Sequence, residues 1–188
     1  SNASAFAARV TASTMSDLHS AVVTGVGTLK GPLHGAAAES VMKMAQDIGD
    51  PANAENYART TIEKGERIMG FGHRVYKTFD PRAQIIKKAA DQVLNDLGID
   101  DPVLDIAKEI ESKALNDPYF IEKKLYPNVD SYSGIIYRAM GIPTEMFTVM
   151  FALGRLPGWL AHWREMIVEN QKINRPRQIY TGDTKRSL

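Results

Sequence analysis

The sequence contains no cysteine. That excludes disulfides, thiolate catalysis and cysteine-ligated zinc, and it suits a cytoplasmic fold held together by packing alone. Neither sign of charge dominates: 23 Lys and Arg stand against 22 Asp and Glu, for a formal net charge of +1. Such a balance gives no bulk attraction to nucleic acid or to an anionic membrane, so neither is expected as a partner. Long apolar runs are missing too. Those present are interrupted by Gly, Pro or charge well before they could span a bilayer. The N-terminus has no basic flank followed by an apolar core, so no signal peptide is expected. What remains is ordinary for a globular chain: 188 residues, 44% hydrophobic and 24% charged. A chain of this size folds as one domain or a little more and buries roughly 70% of its unfolded surface. Disorder and collagen are excluded by composition.

The pattern along the chain is almost entirely helical. Ser4 to Leu29 reads as one long helix, weakened near Gly25 and Gly27. Lys30-Gly31-Pro32-Leu33-His34-Gly35 interrupts it. Helix resumes from Ala36 to Ile48, with Val41, Met44, Ala45 and Ile48 on one face. Asn56 to Lys64 forms another. Arg67 to Asp80 holds Gly70 and Gly72 and predicts a loop with a short extended piece. Asp80 as N-cap and Pro81 in the first turn start a strong helix that Gly98 stops, with Ile85, Ala89, Val93 and Leu97 expected to face the core. Pro102 to Leu115 repeats the pattern through Val103, Ile106, Ile110 and Ala114. A short helix is expected over Tyr119 to Leu125. Ser131 to Asn170 is read as helix broken at Gly141-Ile142-Pro143 and at Pro157-Gly158, followed by a basic tail.

Several residues stand out chemically. His34 lies between a proline turn and a glycine at a helix start, where helix N–H groups disfavour imidazolium and suit a neutral hydrogen-bond donor. The same spacing suits an ordinary turn histidine. Gly70-Phe71-Gly72-His73 lacks the third glycine and the strand–helix setting of a dinucleotide loop. Its glycines still permit close approach of backbone to a ligand, and Arg74, Lys77 and Arg82 suit an anion; solvated loop charges are the alternative. Asp130 is placed to cap the helix that follows. Arg155, inside an apolar stretch, requires an anionic partner or an outward-reaching guanidinium. Arg175-Pro176-Arg177 has the composition of a solvated tail. Trp159 and Trp163, beside His162, read as packing residues, and Met140, Met146 and Met150 as core filler. No HExxH or GxSxG pattern occurs, so metal and serine-hydrolase chemistry have no support.

Taken together, six strings resemble the C-terminal part of citrate synthase. They are NASAFAARV (Asn2 to Val10), GPLHG (Gly31 to Gly35), IMGFGHRVYK (Ile68 to Lys77), DPR (Asp80 to Arg82), YPNVDSYSG (Tyr126 to Gly134) and RPRQIYTG (Arg175 to Gly182). They occur in family order across nearly the whole chain. The resemblance implies an all-α, citrate-synthase-like multi-helical fold lacking the family's N-terminal half. Residues 1–50 would be large-domain helices, 51–150 mainly the small domain, and 151–188 a large-domain helix with the tail. Ser1-Asn2-Ala3 also has the look of a cleaved affinity tag, although Asn2-Ala3-Ser4 fits the family string.

The implied reaction condenses acetyl-CoA with oxaloacetate and hydrolyses citryl-CoA. His34 would donate a hydrogen bond to the thioester oxygen, Asp130 would remove the methyl proton, and His73 would polarise the oxaloacetate carbonyl. Arg82 and Arg155 would bind substrate carboxylates, and Arg175 would reach into a partner subunit's site. Gly70, Gly72 and Lys77 fall where the family binds CoA. No permanently bound cofactor is implied; acetyl-CoA is a co-substrate, and a homo-oligomer with shared sites is expected. The alternatives are 2-methylcitrate synthase, using propionyl-CoA, and a non-catalytic helical module that binds CoA or another subunit. Where the family has Gly-Ala-Asn, this chain has Ala36-Ala37-Ala38, and a further substrate histidine would fall upstream of Ser1.

Overall fold

A computed structural model describes residues 2–72, 80–116, 118–122, 124, 126–179 and 181–182. The helices are α1 (Ala3–Ser13), α2 (Leu18–Leu29), α3 (Ala37–Ile48), α4 (Ala54–Glu63), α5 (Pro81–Leu97), α6 (Pro102–Asn116), α7 (Pro118–Glu122), α8 (Asp130–Ala139) and α9 (Phe147–Val168). Short 3-10 turns lie at Pro51–Asn53 and Thr144–Met146. Extended pairing among the described residues is confined to one antiparallel bridge between Phe71 and Pro127. That is the short extended piece expected after Arg67. Helix α5 has the predicted ends: Asp80 accepts the Arg82 N–H, Pro81 opens the helix, and Gly98 closes it at φ +63°.

The chain packs as two compact units: Ser1–Thr28 with Arg155–Leu188, and Leu29–Gly154. In the second unit, α8 packs on α5 and α3, and α6 packs on α3 and α4. Its core holds Val41, Met44, Ala45 and Ile48 of α3, as predicted, with Val103, Ile106 and Ile110 of α6. The α5 stripe differs from expectation. Ala83, Ala90 and Leu94 are buried, whereas Ile85 is 72% exposed and Leu97 54% exposed. The buried face of α5 thus includes two small residues, which allow close approach of a packed helix. Met140 and Met146, expected in the core, are also exposed; the buried methionines are Met42, Met44 and Met166.

The first unit corrects two helix boundaries. The predicted long helix is split at 14–17, not at Gly25 and Gly27. Met15 turns at φ +65°, and Asp17 starts α2 by accepting the N–H and the hydroxyl of Ser20 at 3.0 and 2.7 Å. Gly25 is kept inside α2 because a Cβ there would lie 2.8 Å from the Trp159 indole. Trp159 is buried, as read from sequence, and donates to Ser4 Oγ at 3.3 Å. Helix α9 runs through Pro157-Gly158 without a break. Proline deprives the Leu153 carbonyl of its donor, but both residues are exposed, so that carbonyl keeps access to solvent.

Candidate active site

The segment carrying Asp130 is sewn to the glycine loop by main-chain and side-chain bonds. Gly72 N–H donates to the Tyr126 carbonyl at 2.7 Å, and Asn128 N–H donates to the Gly70 carbonyl at 2.9 Å. The Asn128 side chain completes the seam. Its Nδ2 donates to the Gly72 carbonyl and its Oδ1 accepts the Asp130 N–H, each at 2.9 Å. Ser131 Oγ also donates to the Gly70 carbonyl. Gly70 and Gly72 sit at φ +80° and +75°, which L side chains rarely adopt. At Gly70 a Cβ would in addition lie 2.8 Å from Val41 Cγ2 and 2.9 Å from Ser131 Oγ. The missing side chain at Gly70 thus makes room for this chain's own α3 and α8.

Asp130 is the first residue of α8, and the side chain that receives its N–H is that of Asn128. The N-cap position expected for Asp130 is held by Val129, which offers no side-chain cap. The place of Asp130 in the first turn of α8 favours a carboxylate there. Two residues on, Tyr132 has no exposed surface and donates to Glu111 at 2.6 Å. Glu111 also pairs with Lys87, whose ammonium lies 5.8 Å from the Tyr132 ring centroid. Burial, then the Glu111 bond, pushes the Tyr132 phenol far above its ordinary range. The start of α8 is thereby pinned to α5 and α6.

His34 lies in the turn between α2 and α3. Its N–H donates to the Gly31 carbonyl, and Gly35 N–H donates to the Leu29 carbonyl, both at 2.9 Å. A Cβ at Gly35 would collide with that same Leu29 carbonyl, so glycine is needed for the turn. The half-buried His34 ring meets Phe151 edge-on, at 6.2 Å and 74°. Helix α3 then begins at Ala37, its N-cap residue Ala36 offering no side-chain cap. Four residues after His34, the Ala38 carbonyl stands 3.2 Å from where a Gly134 Cβ would be, and Gly134 is four residues after Asp130. Asp130 and Gly134 are thus about one turn apart on α8, whereas His34 precedes α3 in the turn of residues 31–35.

The arginines divide between the units. Arg82, half exposed, forks onto its own cap: Nε donates to Asp80 Oδ1 at 3.1 Å and Nη2 to Oδ2 at 2.9 Å. Asp80 itself is buried. Arg155 is half-buried on α9 and Arg175 is exposed in the tail, and both belong to the unit built on α1 and α2. His73 and Lys77 lie outside the described residues. Sequence reasoning missed Asn128, the Asp80–Arg82 fork and the Glu111–Tyr132 pair. A Pro-Asn-x-Asp run is a signal for Asn-mediated turn closure and exposes the first of these. Among the described residues, no group of three His, Asp or Glu side chains is arranged to hold a metal.

A family model described as citrate synthase, C-terminal domain, matches residues 1–177. The chain belongs to the citrate synthase family. It is 54% identical to citrate synthase 1 of Mycobacterium tuberculosis over 189 residues, covering 98% of this chain and 44% of that protein. Against citrate synthase of Corynebacterium glutamicum it is 50% identical over 193 residues, covering 100% of this chain and 44% of the relative. The fold is similar to crystalline citrate synthase from Thermotoga maritima, with a TM-score of 0.89 and 41% identity over the whole of this chain and 50% of that one. It is also similar to citrate synthase from Thermoplasma acidophilum in its ternary complex with carboxymethyl coenzyme A and oxaloacetate. There the TM-score is 0.88 at 40% identity, with 100% of this chain and 50% of that one covered. The chain thus spans less than half the length of the sequence relatives it matches. Asn2-Ala3-Ser4 fall within the family match, and Asn2 caps α1 by accepting the Ala5 N–H at 3.0 Å.

Proposed function

We propose that this chain contributes the C-terminal half of a citrate synthase, which converts acetyl-CoA, oxaloacetate and water to citrate and CoA. The observation that carries the reading is the Asn128 seam, which holds Asp130 at the start of α8 against the Gly70–Gly72 loop. Family membership and the likeness to a ternary complex with a CoA derivative and oxaloacetate support it.

Asp130 takes a proton from the thioester methyl, a very weak carbon acid. His34 donates to the carbonyl oxygen as negative charge gathers there. One preorganised donor of that kind is worth about 10²–10³ in rate, or roughly 3–4 kcal/mol. The new carbon–carbon bond forms at the ketone carbon of oxaloacetate, whose oxygen His73 polarises and protonates. Water then cleaves citryl-CoA, releasing the thiol. Arg82, Arg155 and Arg175 suit the dicarboxylate because a guanidinium pairs with each carboxylate through two parallel bonds. Gly70, Gly72 and Lys77 take the CoA side. A homo-oligomer with shared sites, a cytoplasmic location, and the assignment of 1–50 and 151–188 to the large domain and 51–150 to the small one belong to the same proposal.

The test is thiol release by the full-length chain with acetyl-CoA and oxaloacetate. Oxaloacetate-dependent release that falls by at least about 10²-fold in Asp130→Ala is expected. Undiminished release in that variant would remove Asp130 as the base. Propionyl-CoA turned over faster than acetyl-CoA would move the assignment to 2-methylcitrate synthase. No turnover with either thioester would mark the chain as inactive without the family's N-terminal half, and binding of neither substrate would favour a non-catalytic module.

A further inference from the structure

The C-terminal tail leaves α9 with almost no apolar anchorage. Asn170 turns the chain at φ +49°, and beyond it Lys172, Ile173 and residues 175–179 are exposed. Besides the Gln171 N–H bond to the Met166 carbonyl at 3.1 Å, two polar ties join the segment to α1. Gln171 Oε1 accepts from Arg9 Nη2 at 2.8 Å. Asn174 N–H donates to Ser13 Oγ at 2.9 Å, and that hydroxyl donates in turn to the Val10 carbonyl at 2.7 Å. Ser13 is buried at the last position of α1, and both roles of its hydroxyl are used. Arg9 is held rigidly for its part: Nη1 reaches His162 Nδ1 at 2.9 Å and pairs with Glu165. Residues 9 and 13 are one helical turn apart, so they present a two-point mount to residues 171 and 174. The next residue in the chain is Arg175.

We propose that Ser13 and Arg9 are positioning residues that fix the point from which Arg175 extends to a substrate carboxylate. This rests on the proposed reading of Arg175 as a substrate arginine. An arginine on an untethered tail loses conformational freedom each time it binds, which weakens substrate affinity without altering the chemical step. The mount removes that loss in advance. The effect belongs in KM for oxaloacetate, not in kcat and not in KM for the thioester.

Two measurements on the full-length chain test it. The first is trypsin cleavage after Lys172, compared between the unsubstituted chain, Ser13→Ala and Gln171→Ala. Arg175 precedes Pro176 and resists trypsin, so the Lys172 cut reports on the mounted stretch. Cleavage there should rise by about 2- to 10-fold in each variant, the equivalent of one hydrogen bond, with little change in thermal midpoint. An unchanged rate in both overturns the mount. The second is a double-mutant cycle on KM for oxaloacetate. Ser13→Ala should raise that KM by about 2- to 10-fold with kcat nearly constant. In an Arg175→Ala background it should add nothing. A rise that persists there overturns the link to Arg175. Where the unsubstituted chain binds oxaloacetate without turnover, its Kd takes the place of KM in the cycle. Binding of neither substrate sinks the functional reading and that link together, while the cleavage result still decides the mount.

Discussion

The Tyr132 hydroxyl donates to the Glu111 carboxylate at 2.6 Å, inside a core where the tyrosine has no exposed surface. The bond joins α8 to α6 two residues from Asp130. Burial disfavours the phenolate, and its hydrogen bond and repulsion with Glu111 add to that, so its pKa is displaced upward.

That displacement predicts an alkaline transition. With the folded pKa raised, the contribution is complete below about pH 10, where an unfolded tyrosine titrates, and is lost progressively as pH rises further. Thermal midpoints between pH 9 and 11 should therefore fall more steeply for the unsubstituted chain than for Tyr132→Phe. At neutral pH the variant should cost about 1–2 kcal/mol. Equal slopes would show that Tyr132 does not carry the transition.

Replacing Gly70 by alanine should be far more damaging than replacing Gly98. Both positions have positive φ, which costs an L residue roughly 1–2 kcal/mol. At Gly98 nothing lies within 4 Å of the added Cβ, whereas at Gly70 it meets Val41 and Ser131. Urea titrations should place Gly98→Ala near 1 kcal/mol and Gly70→Ala beyond about 3 kcal/mol, the excess being overpacking. Similar values would mean that α3 and α8 yield freely at the crossing.

Asn128→Ala removes one acceptor and one donor from the seam and should destabilise the Leu29–Gly154 unit by about 1–3 kcal/mol. Asn128→Asp keeps an acceptor for the Asp130 N–H but cannot donate to Gly72, so it should fall between alanine and the native residue. Chemical denaturation followed by tyrosine signals orders the three. An aspartate variant worse than alanine would point to repulsion from Asp130 as the larger effect.

The Arg9 guanidinium holds the Glu165 carboxyl below its ordinary range, with His162 assisting. A depressed carboxyl contributes above its unfolded pKa and loses that contribution as pH falls through the folded value. Acidification below about pH 4.5 should loosen the Arg9 cluster, and Glu165→Gln should flatten that part of the profile. The pair is exposed, so the effect is small and should shrink further in 0.5 M salt. Salt-insensitive profiles identical in both proteins would contradict this.

Much of the fold is legible in the sequence where local chemistry is decisive. Asp80-Pro81 and Gly98 delimit α5 because caps and breakers act on their own neighbours. The α3 stripe is readable because Val41, Met44, Ala45 and Ile48 are apolar at helical spacing. The α5 face is not, since Ala83 and Ala90 are buried while the larger Ile85 is exposed, and nothing in the α5 sequence names the helix that packs on it. Pro157 misleads in the same way: its cost depends on what surrounds Leu153. In the candidate site, Gly70, Gly72 and Asp130 are recognisable by type and order. Asn128 acquires its role only when residues 56 apart in sequence are brought together.

Both tryptophans of the chain, Trp159 and Trp163, lie in the unit of Ser1–Thr28 and Arg155–Leu188, and all but one of its seven tyrosines lie in Leu29–Gly154. Trp159 is sealed against Gly25, while Trp163 donates to the Ser16 carbonyl at 3.2 Å. The molecule is thus naturally two-coloured. Emission excited at 295 nm follows the melting of one unit, and near-ultraviolet tyrosine dichroism follows the other. Whether the two halves unfold in concert is readable from the native chain, with no label attached.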